Sequence, residues 1–332
     1  MESLLEVRDL SVRYRSKKEQ DVLALDAASL RIAPGEILGV LGESGSGKST
    51  LAASVLSLFP PTAVVEAGAV FFQGRNLFEL DSLSLARVRG KSISLIFQEP
   101  AVALHPTMRV GSQIDEILRA HTKSKASDRG RTVRELLAMV FPSDAERVYA
   151  SYPHQLSGGQ RQRVVTTQAI ACGPSLLIAD EPTASLDPVT QRGILHLFKR
   201  LQRELQLAIL FITHSPDLLA GFADRILVMY AGRIVETGDA EDVLSSPKHP
   251  YTKALLQCRP KLEESSESTV GGRLPVILGN PPDLSRRISG CAFEPRCLDK
   301  VDVCRERRPM FTKAGETQEV TCFRLGDSFK VL

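Results

Sequence analysis

The fold is decided by residues 37–49, whose sequence is ILGVLGESGSGKS. The segment opens with the apolar run Ile37–Leu41, which is typical of a buried parallel strand. It continues as G-x-x-x-x-G-K-[ST], and residues 50–58 then follow a helical pattern. Glycines let the backbone curl so that successive N–H groups point at phosphate oxygens. A strand, this loop and a helix in that order predict a phosphate-binding loop.

The polar residues of the loop suit a nucleotide and its magnesium ion. We expect Lys48 to lie near the β- and γ-phosphates and the Ser49 hydroxyl to ligate Mg²⁺. The alternative is a glycine- and serine-rich turn that caps a helix without a ligand, and the Lys-Ser ending disfavours it. The expected ATP-binding residues of this segment are Gly42, Ser44, Gly45, Ser46, Gly47, Lys48, Ser49 and Thr50.

A second apolar run, at residues 176–181, ends in two carboxylates. We expect Asp180 to hold the Mg²⁺ shell and Glu181 to polarise a water for attack on the γ-phosphate. Taken alone, two carboxylates at the end of an apolar run would more often mark the point where a strand leads into a loop, with both charges in solvent. The phosphate loop in the same chain favours the catalytic interpretation.

Apolar runs also occur at residues 94–97 and 208–212, between helical patterns. This alternation predicts an α/β fold, a P-loop ATPase core on a mainly parallel sheet. We expect an N-terminal antiparallel β subdomain, from the strand patterns at 4–12 and 22–32, and a helical subdomain at about 101–168. The polar stretch 259–272 resembles a linker. The predicted domains are therefore 1–257, the nucleotide-binding domain, and 258–332, a small cysteine-containing C-terminal domain.

Composition narrows the class of protein. The 332 residues carry a net charge of +3 and are 43% hydrophobic, which excludes a disordered chain and offers no basic stripe for nucleic acid. The sequence contains no apolar run of the roughly 18–20 residues that span a bilayer, and its N-terminus does not resemble a secretory signal. We therefore expect a cytoplasmic protein with reduced thiols, in which clustered cysteines indicate a metal rather than disulfides.

Residues 156–160, LSGGQ, closely resemble the signature motif of ATP-binding-cassette (ABC) ATPases. Ser157 can cap the helix that starts near Gly159, and the glycines leave room for a phosphate. The resemblance implies a head-to-tail pair of cassettes, in which the signature of one closes over the ATP bound to the other. The signature residues expected to contact the partner's ATP are Ser157, Gly158, Gly159 and Gln160.

Further motifs match the family one at a time. Gln98 resembles the Q-loop glutamine, a sensor of Mg²⁺ and γ-phosphate, and His214 resembles the switch histidine. Asp187 is similar to the D-loop aspartate at the dimer interface, and Tyr14 to the aromatic residue that stacks on adenine. Ser215 follows the histidine where importer relatives usually have an acidic residue, so we expect modulation rather than loss of activity.

Stretches outside these motifs resemble the oligopeptide/dipeptide importer ATPases of bacteria; they are 152–155, 229–236, 249–256, 279–284 and 290–297. The resemblance implies an ATPase at the cytoplasmic face of the inner membrane that powers peptide uptake. Its implied partners are a second, non-identical ATPase subunit, two transmembrane permease subunits and, indirectly, an extracytoplasmic peptide-binding protein. An opine or a metal complex is an alternative cargo. A nucleic-acid-directed ABC ATPase is disfavoured, because the chain has one phosphate loop, one signature and no heptad array.

Four tail cysteines need an explanation of their own; they are Cys291, Cys297, Cys304 and Cys322. Their spacing matches neither the C-x₂₋₄-C pairs of zinc sites nor the common ferredoxin patterns. Some members of the resembled branch carry a [4Fe–4S] cluster at a similar array, so a cluster is favoured over zinc, and zinc over free thiols. Cys172, in a helical pattern, and Cys258 are expected to be packing residues.

Overall fold

The computed structural model describes residues 3–16, 20–258, 276–286 and 288–325. In these ranges the strands are β1 Leu5–Tyr14, β2 Val22–Ile32, β3 Ile37–Leu41, β4 Ala63–Phe72, β5 Arg75–Asn76, β6 Ile93–Ile96, β7 Leu176–Asp180, β8 Ala208–Thr213, β9 Arg225–Tyr230, β10 Arg233–Asp239, β11 Thr312–Lys313 and β12 Glu319–Val320. The α-helices are α1 Lys48–Val55, α2 Ser82–Val88, α3 Pro100–Ala103, α4 Val110–His121, α5 Ala126–Val140, α6 Ala145–Ala150, α7 Gly158–Ile170, α8 Pro188–Leu205, α9 Ala240–Ser245, α10 Pro250–Gln257 and α11 Val303–Glu306.

Two sheets organise the chain. An antiparallel sheet has the order β2-β1-β4-β5, and a larger sheet has the order β11-β12-β10-β9-β3-β8-β7-β6. The five strands from β9 to β6 pair in parallel, with β3 between β9 and β8. The α/β core and its mainly parallel sheet are therefore confirmed. Their parallel register brings the carboxyl ends of β3, β7 and β8 to one edge, where such sheets bind ligands.

The larger sheet is buried on both faces, as parallel sheets are. Along β3, Ile37 and Leu41 pack toward the helices of the 101–168 segment and α8. The intervening Leu38 and Val40 pack toward α1 and the antiparallel sheet. Alternation of a strand's side chains between faces thus lets one five-residue strand join two hydrophobic cores.

The helical segment follows the sequence prediction, with α4 to α7 between β6 and β7 and no strand in the described residues there. Element ends differ from the prediction. The loop runs directly into α1 at Lys48, and the helix ends at Val55, before the positive φ of Ser57. Cys172 lies past the end of α7 rather than in a helix, because Gly173 has a left-handed φ of 64° and turns the chain.

The described part of the tail packs on the cassette. Strand β12 pairs antiparallel with β10, so the tail extends the larger sheet. Phe293 is buried in the same core as β3 and α8, and Cys291 and Cys297 pack against that core. The predicted linker 259–272 lies outside the described residues. Of the helices described, none is long and apolar enough to cross a membrane.

Candidate functional site: a nucleotide cavity at the carboxyl edge of the sheet

The phosphate loop leaves β3 and enters α1 through glycines that no other residue could replace without strain. Gly47 is the N-cap of α1 with a left-handed φ of 101°, and a Cβ there would lie 2.6 Å from the Ala24 carbonyl oxygen. A Cβ at Gly42 would lie 2.3 Å from the Met229 carbonyl oxygen. The loop is therefore pressed against β2 on one side and β9 on the other.

The lysine of the loop lies inside this turn. Lys48 Nζ donates to the carbonyl oxygens of Gly42 and Glu43, each at 2.8 Å. Burial lowers the pKa of Lys48, and the nearby carboxylates of Glu181, Asp180 and Glu43 oppose that shift. The ammonium group thus stands where the loop's carbonyls and the acidic strand meet, the position that phosphate binding requires.

Asp180, the last residue of β7, suits a cation. Burial raises the pKa of its carboxyl group, while a hydrogen bond with the Ser49 side chain opposes the rise. Its Oδ1 atom is buried without a hydrogen-bond partner. A buried, unpartnered carboxylate oxygen beside a serine hydroxyl fits Mg²⁺, which takes one or two protein oxygens and fills its remaining positions with water and phosphate.

Glu181 brings the other predicted catalytic residues together. Its Oε2 atom lies 3.3 Å from Gln98 Nε2 and 3.2 Å from His214 Nδ1. The carboxylate side chain is 15% exposed and the imidazole 59% exposed, so the pair can reach a ligand from the solvent side. Glu181 has a φ of 47°, a left-handed conformation that is rare outside glycine. Such strain is often found at functional sites.

Lys48, Gln98, Glu181 and His214 line one cavity of about 990 Å³. Tyr14 lies at the cavity, and its hydroxyl is 3.2 Å from Thr50 Oγ1. The lining residues are Tyr14, Val22, Ala24, Glu43, Ser44, Gly45, Gly47, Lys48, Ser49, Thr50, Gln98, Glu181, His214, Leu255, Pro281 and Leu284. The phosphate loop, Gln98, Glu181 and His214 are thus neighbours in space. Their individual roles stay predictions.

The signature residues lie elsewhere, and none of the four lines the cavity in the described structure. Ser157 and Gln160 form a reciprocal capping box: Ser157 N donates to Gln160 Oε1 at 3.1 Å, and Gln160 N to Ser157 Oγ at 3.2 Å. A Cβ at Gly159 would lie 2.5 Å from Thr190 Cγ2 on α8. Asp187 caps α8, accepting from the N–H groups of residues 189 and 190. The exposed N-terminus of α7 therefore belongs to a separate surface.

The four tail cysteines are neighbours. Burial raises the pKa of Cys291 to about 11, and charge interactions with Cys304, Cys322 and Cys297 add to the shift. Cys291 N also donates to the Cys304 carbonyl oxygen at 2.8 Å. Yet within the described ranges no three His, Cys, Asp or Glu side chains are arranged to hold a metal ion. The donor chemistry suits a soft metal or a cluster, but the thiols do not form a ready-made site.

Two features of the cavity are not explained by the ATP-site motifs. Leu255, Pro281 and Leu284 line it, although they lie more than 200 residues after the phosphate loop. Glu43 occupies a variable position of the loop pattern, yet its carboxylate pairs with Arg296 of the tail. A charged residue at that variable position is the only sequence signal for the pair.

A phosphate loop facing an acidic strand, with a signature helix on a separate surface, defines an ATP-binding cassette ATPase. The fold is similar to a cassette dimer in a post-hydrolysis state bound to ADP and phosphate. That match has a TM-score of 0.63 at 28% identity and covers 71% of this chain and 98% of the other.

Family models and relatives lead to the same class. The ABC transporter model matches residues 25–184, and the model of the oligopeptide/dipeptide transporter C-terminal region matches residues 235–304. An oligopeptide transport ATP-binding protein of Escherichia coli is 41% identical, covering 99% of this chain and 94% of that protein. A probable peptide ABC transporter ATP-binding protein of Sinorhizobium fredii is also 41% identical, covering 97% and 95%. The chain belongs to the ABC transporter family, in its oligopeptide/dipeptide branch.

Proposed function

We propose that this chain is the ATP-hydrolysing subunit of an ABC importer that takes up peptides. One observation carries the proposal: Lys48 and Glu181 line one nucleotide-sized cavity, and the carboxylate of Asp180 lies close enough to act on the pKa of Lys48. They do so in a chain 41% identical, over nearly its whole length, to an oligopeptide transport ATP-binding protein. ATP hydrolysis supplies the free energy, and its coupling to transport follows from the branch to which the chain belongs.

The geometry supports a division of labour at the γ-phosphate. The loop's N–H groups and Lys48 bind the phosphates, and Ser49 and Asp180 would hold Mg²⁺, which offsets phosphate charge when bound. Glu181 acts as the general base toward the attacking water. Gln98 and His214 both contact Glu181 Oε2, so each can orient that carboxylate as well as face the phosphate. No covalent intermediate with the protein is needed, because phosphoryl transfer depends on positioning and electrostatics.

The second cassette would use the signature surface. Ser157 and Gly158 are exposed at the N-terminus of the thirteen-residue helix α7, and helix N-termini favour anions. We infer that this end closes over ATP held by a homologous, non-identical partner subunit, with Asp187 at the same interface. ATP would then hold the dimer together, and hydrolysis would release it.

A groove beside the Q-loop supports docking of the permease subunits. It has a volume of about 1050 Å³ and reaches from Ser49 and Gln98 to α4 and α7. Phe97 and Val102 border it, 57% and 79% exposed. Exposed apolar side chains in a groove are typical of an interaction site. Docking there would place the chain as a peripheral subunit on the cytoplasmic face of the membrane.

A charged substitution in the groove tests whether the permease subunits dock there. We expect Val102→Glu to abolish co-purification with the permease subunits, because the carboxylate would have to be desolvated on docking. Leu83→Glu is the matched control, since Leu83 is 74% exposed on α2 and lies outside the groove. If the two variants co-purify equally well, the groove is not the docking site.

For the tail we propose a C-terminal domain from residue 258 that holds a [4Fe–4S] cluster on its four cysteines, with zinc as the second choice. The mutual influence of the thiols on the pKa of Cys291 supports their convergence. Anaerobic purification followed by iron and zinc analysis tests the proposal. About four irons per chain would support the cluster, and zinc without iron, or neither metal, would overturn it.

Transport itself is tested with the chain, its partner ATPase and the permeases in proteoliposomes with a peptide-binding protein. ATP-dependent uptake of a labelled oligopeptide is the expected result. Lys48→Ala should abolish uptake, because it removes the charge at the phosphates. Uptake of an opine or a metal complex, with no uptake of peptides, would assign the cargo differently while leaving the ATPase role intact.

A further inference from the structure

The second residue of the phosphate loop is bound by the tail. Arg296 Nη1 lies 2.8 Å from Glu43 Oε2, and Arg296 Nη2 lies 3.1 Å from Glu43 Oε1. This is the two-pronged geometry that makes an arginine–carboxylate pair strong and directional. The arginine side chain is 4% exposed and the carboxylate 26%, so solvent screens the pair only weakly.

Arg296 is itself held firmly. Its guanidinium donates to the Tyr230 hydroxyl at 3.2 Å and to the carbonyl oxygens of Ile277 and Leu278 at 3.3 and 3.1 Å. An arginine fixed by this many acceptors can serve as a rigid support for the loop.

Glu43 is also fixed through its backbone. Its N–H donates to the Tyr251 hydroxyl at 2.9 Å, and its carbonyl oxygen accepts from Lys48 Nζ at 2.8 Å. The rings of Tyr230 and Tyr251 lie 4.5 Å apart, and Phe293 packs edge-on against Tyr230 at 5.3 Å. One loop residue therefore connects the phosphate-site lysine to an aromatic cluster and to the tail arginine.

The negative charge of Glu43 makes its pairing with Arg296 relevant to ATP binding. Glu43 lines the nucleotide cavity, and its carboxylate influences the pKa of Lys48. A carboxylate at the edge of a triphosphate site repels the ligand unless a cation neutralises it. Arg296 is the cation that contacts it in the described structure.

We propose that Arg296 is a positioning residue of the nucleotide site, which neutralises and orients Glu43 so that the phosphate loop accepts ATP. Through Arg296, the tail therefore contributes to the ATP site. The inference rests on the proposed function only in that the chain binds ATP.

The test measures nucleotide Kd for the purified full chain by calorimetric titration with ATP, ADP and adenosine. We expect Arg296→Met to weaken ATP binding by about tenfold or more, the range of a charge-assisted hydrogen bond. Glu43→Gln should weaken ATP binding less than Arg296→Met does, because it removes the repulsion together with the pair. The double variant should behave like Glu43→Gln, and Arg296→Lys should recover part of the loss.

Two comparisons separate positioning from general stability. The loss in Arg296→Met should be largest for ATP, smaller for ADP and absent for adenosine, since it follows phosphate charge. Arg305→Met is the matched control: this tail arginine is 70% exposed and pairs with Glu294. If Arg296→Met does not fold, Arg296→Lys and the double variant still decide the point.

The outcomes are distinguishable. If the wild-type chain binds no ATP, the proposed function fails first. If it binds ATP and Arg296→Met stays within twofold, or the double variant is as weak as Arg296→Met, the inference about Arg296 is overturned. Equal losses for adenosine and ATP would also overturn it.

Discussion

Acid should destabilise the cassette through one buried histidine. His249 is 1% exposed at the N-cap of α10, where its Nδ1 atom accepts from Tyr251 N at 3.0 Å. The backbone N–H of His249 donates to Glu236 Oε2 at 3.0 Å. Burial lowers the pKa of His249 from 6.5 to about 3, a hydrogen bond with Thr321 opposes the shift, and the charge of Lys253 adds to it. Protonation of the His249 ring would bury a positive charge. It would also turn Nδ1 from an acceptor into a donor that faces the Tyr251 N–H.

The sign and size of the pH effect on the unfolding free energy follow from the difference between the pKa of His249 in the folded chain and in the unfolded chain. The unfolded chain binds the histidine proton below pH 6.5 and the folded chain only near pH 3, so stability is full above 6.5 and falls as the pH falls between these values. Each pH unit costs about 1.4 kcal/mol. Glu236 acts in the opposite direction, because burial raises its pKa and makes its charged form costly at neutral pH.

The assay is urea unfolding between pH 7.5 and 5 for the wild type and His249→Asn, because asparagine keeps an acceptor for the helix cap and carries no titratable group. The difference in unfolding free energy between the two should change by about 1.4 kcal/mol per pH unit below 6.5. Glu236 is common to both proteins, so its contribution cancels. If the two curves run parallel, His249 is not a buried neutral group and the reasoning is refuted.

Two further predictions concern the supports of the site. Asp187→Ala should cost about 1 kcal/mol in unfolding free energy, because it removes the acceptor that caps α8, whereas Asp187→Asn should be nearly neutral; chemical denaturation of both tests this, and equal losses would contradict it. Phe198→Ala should cost about 3–5 kcal/mol, since Phe198 is fully buried with its ring 6.2 Å from that of Phe211. A loss below about 1 kcal/mol in the same assay would contradict the packing described.

The sequence predicted what depends on local patterns. The apolar run 37–41 and the loop after it became β3 and the turn into α1, because a buried strand and a glycine-rich loop are encoded by neighbouring residues. The motifs predicted Asp180, Glu181 and His214 as site residues one at a time, and the carboxyl edge shared by the parallel strands explains why the fold brings them together.

Contacts between distant segments were not predictable in this way. Glu43 and Arg296 pair across 253 positions, and no periodicity or spacing marks either partner. Likewise β12 has only two residues, and its pairing with β10 depends on where the tail docks. Such contacts are selected by tertiary packing, so they become visible only when the whole chain is folded.

We propose that Glu181 is the general base of a working ATPase. The most direct measurement is single-turnover ATP hydrolysis by the assembled transporter carrying wild-type or Glu181→Gln chain, with ATP binding measured on the same samples. The substitution keeps the size of the side chain and removes its basicity, so hydrolysis should fall by roughly 10²- to 10⁴-fold while ATP still binds. Hydrolysis by Glu181→Gln at the wild-type rate would contradict the account.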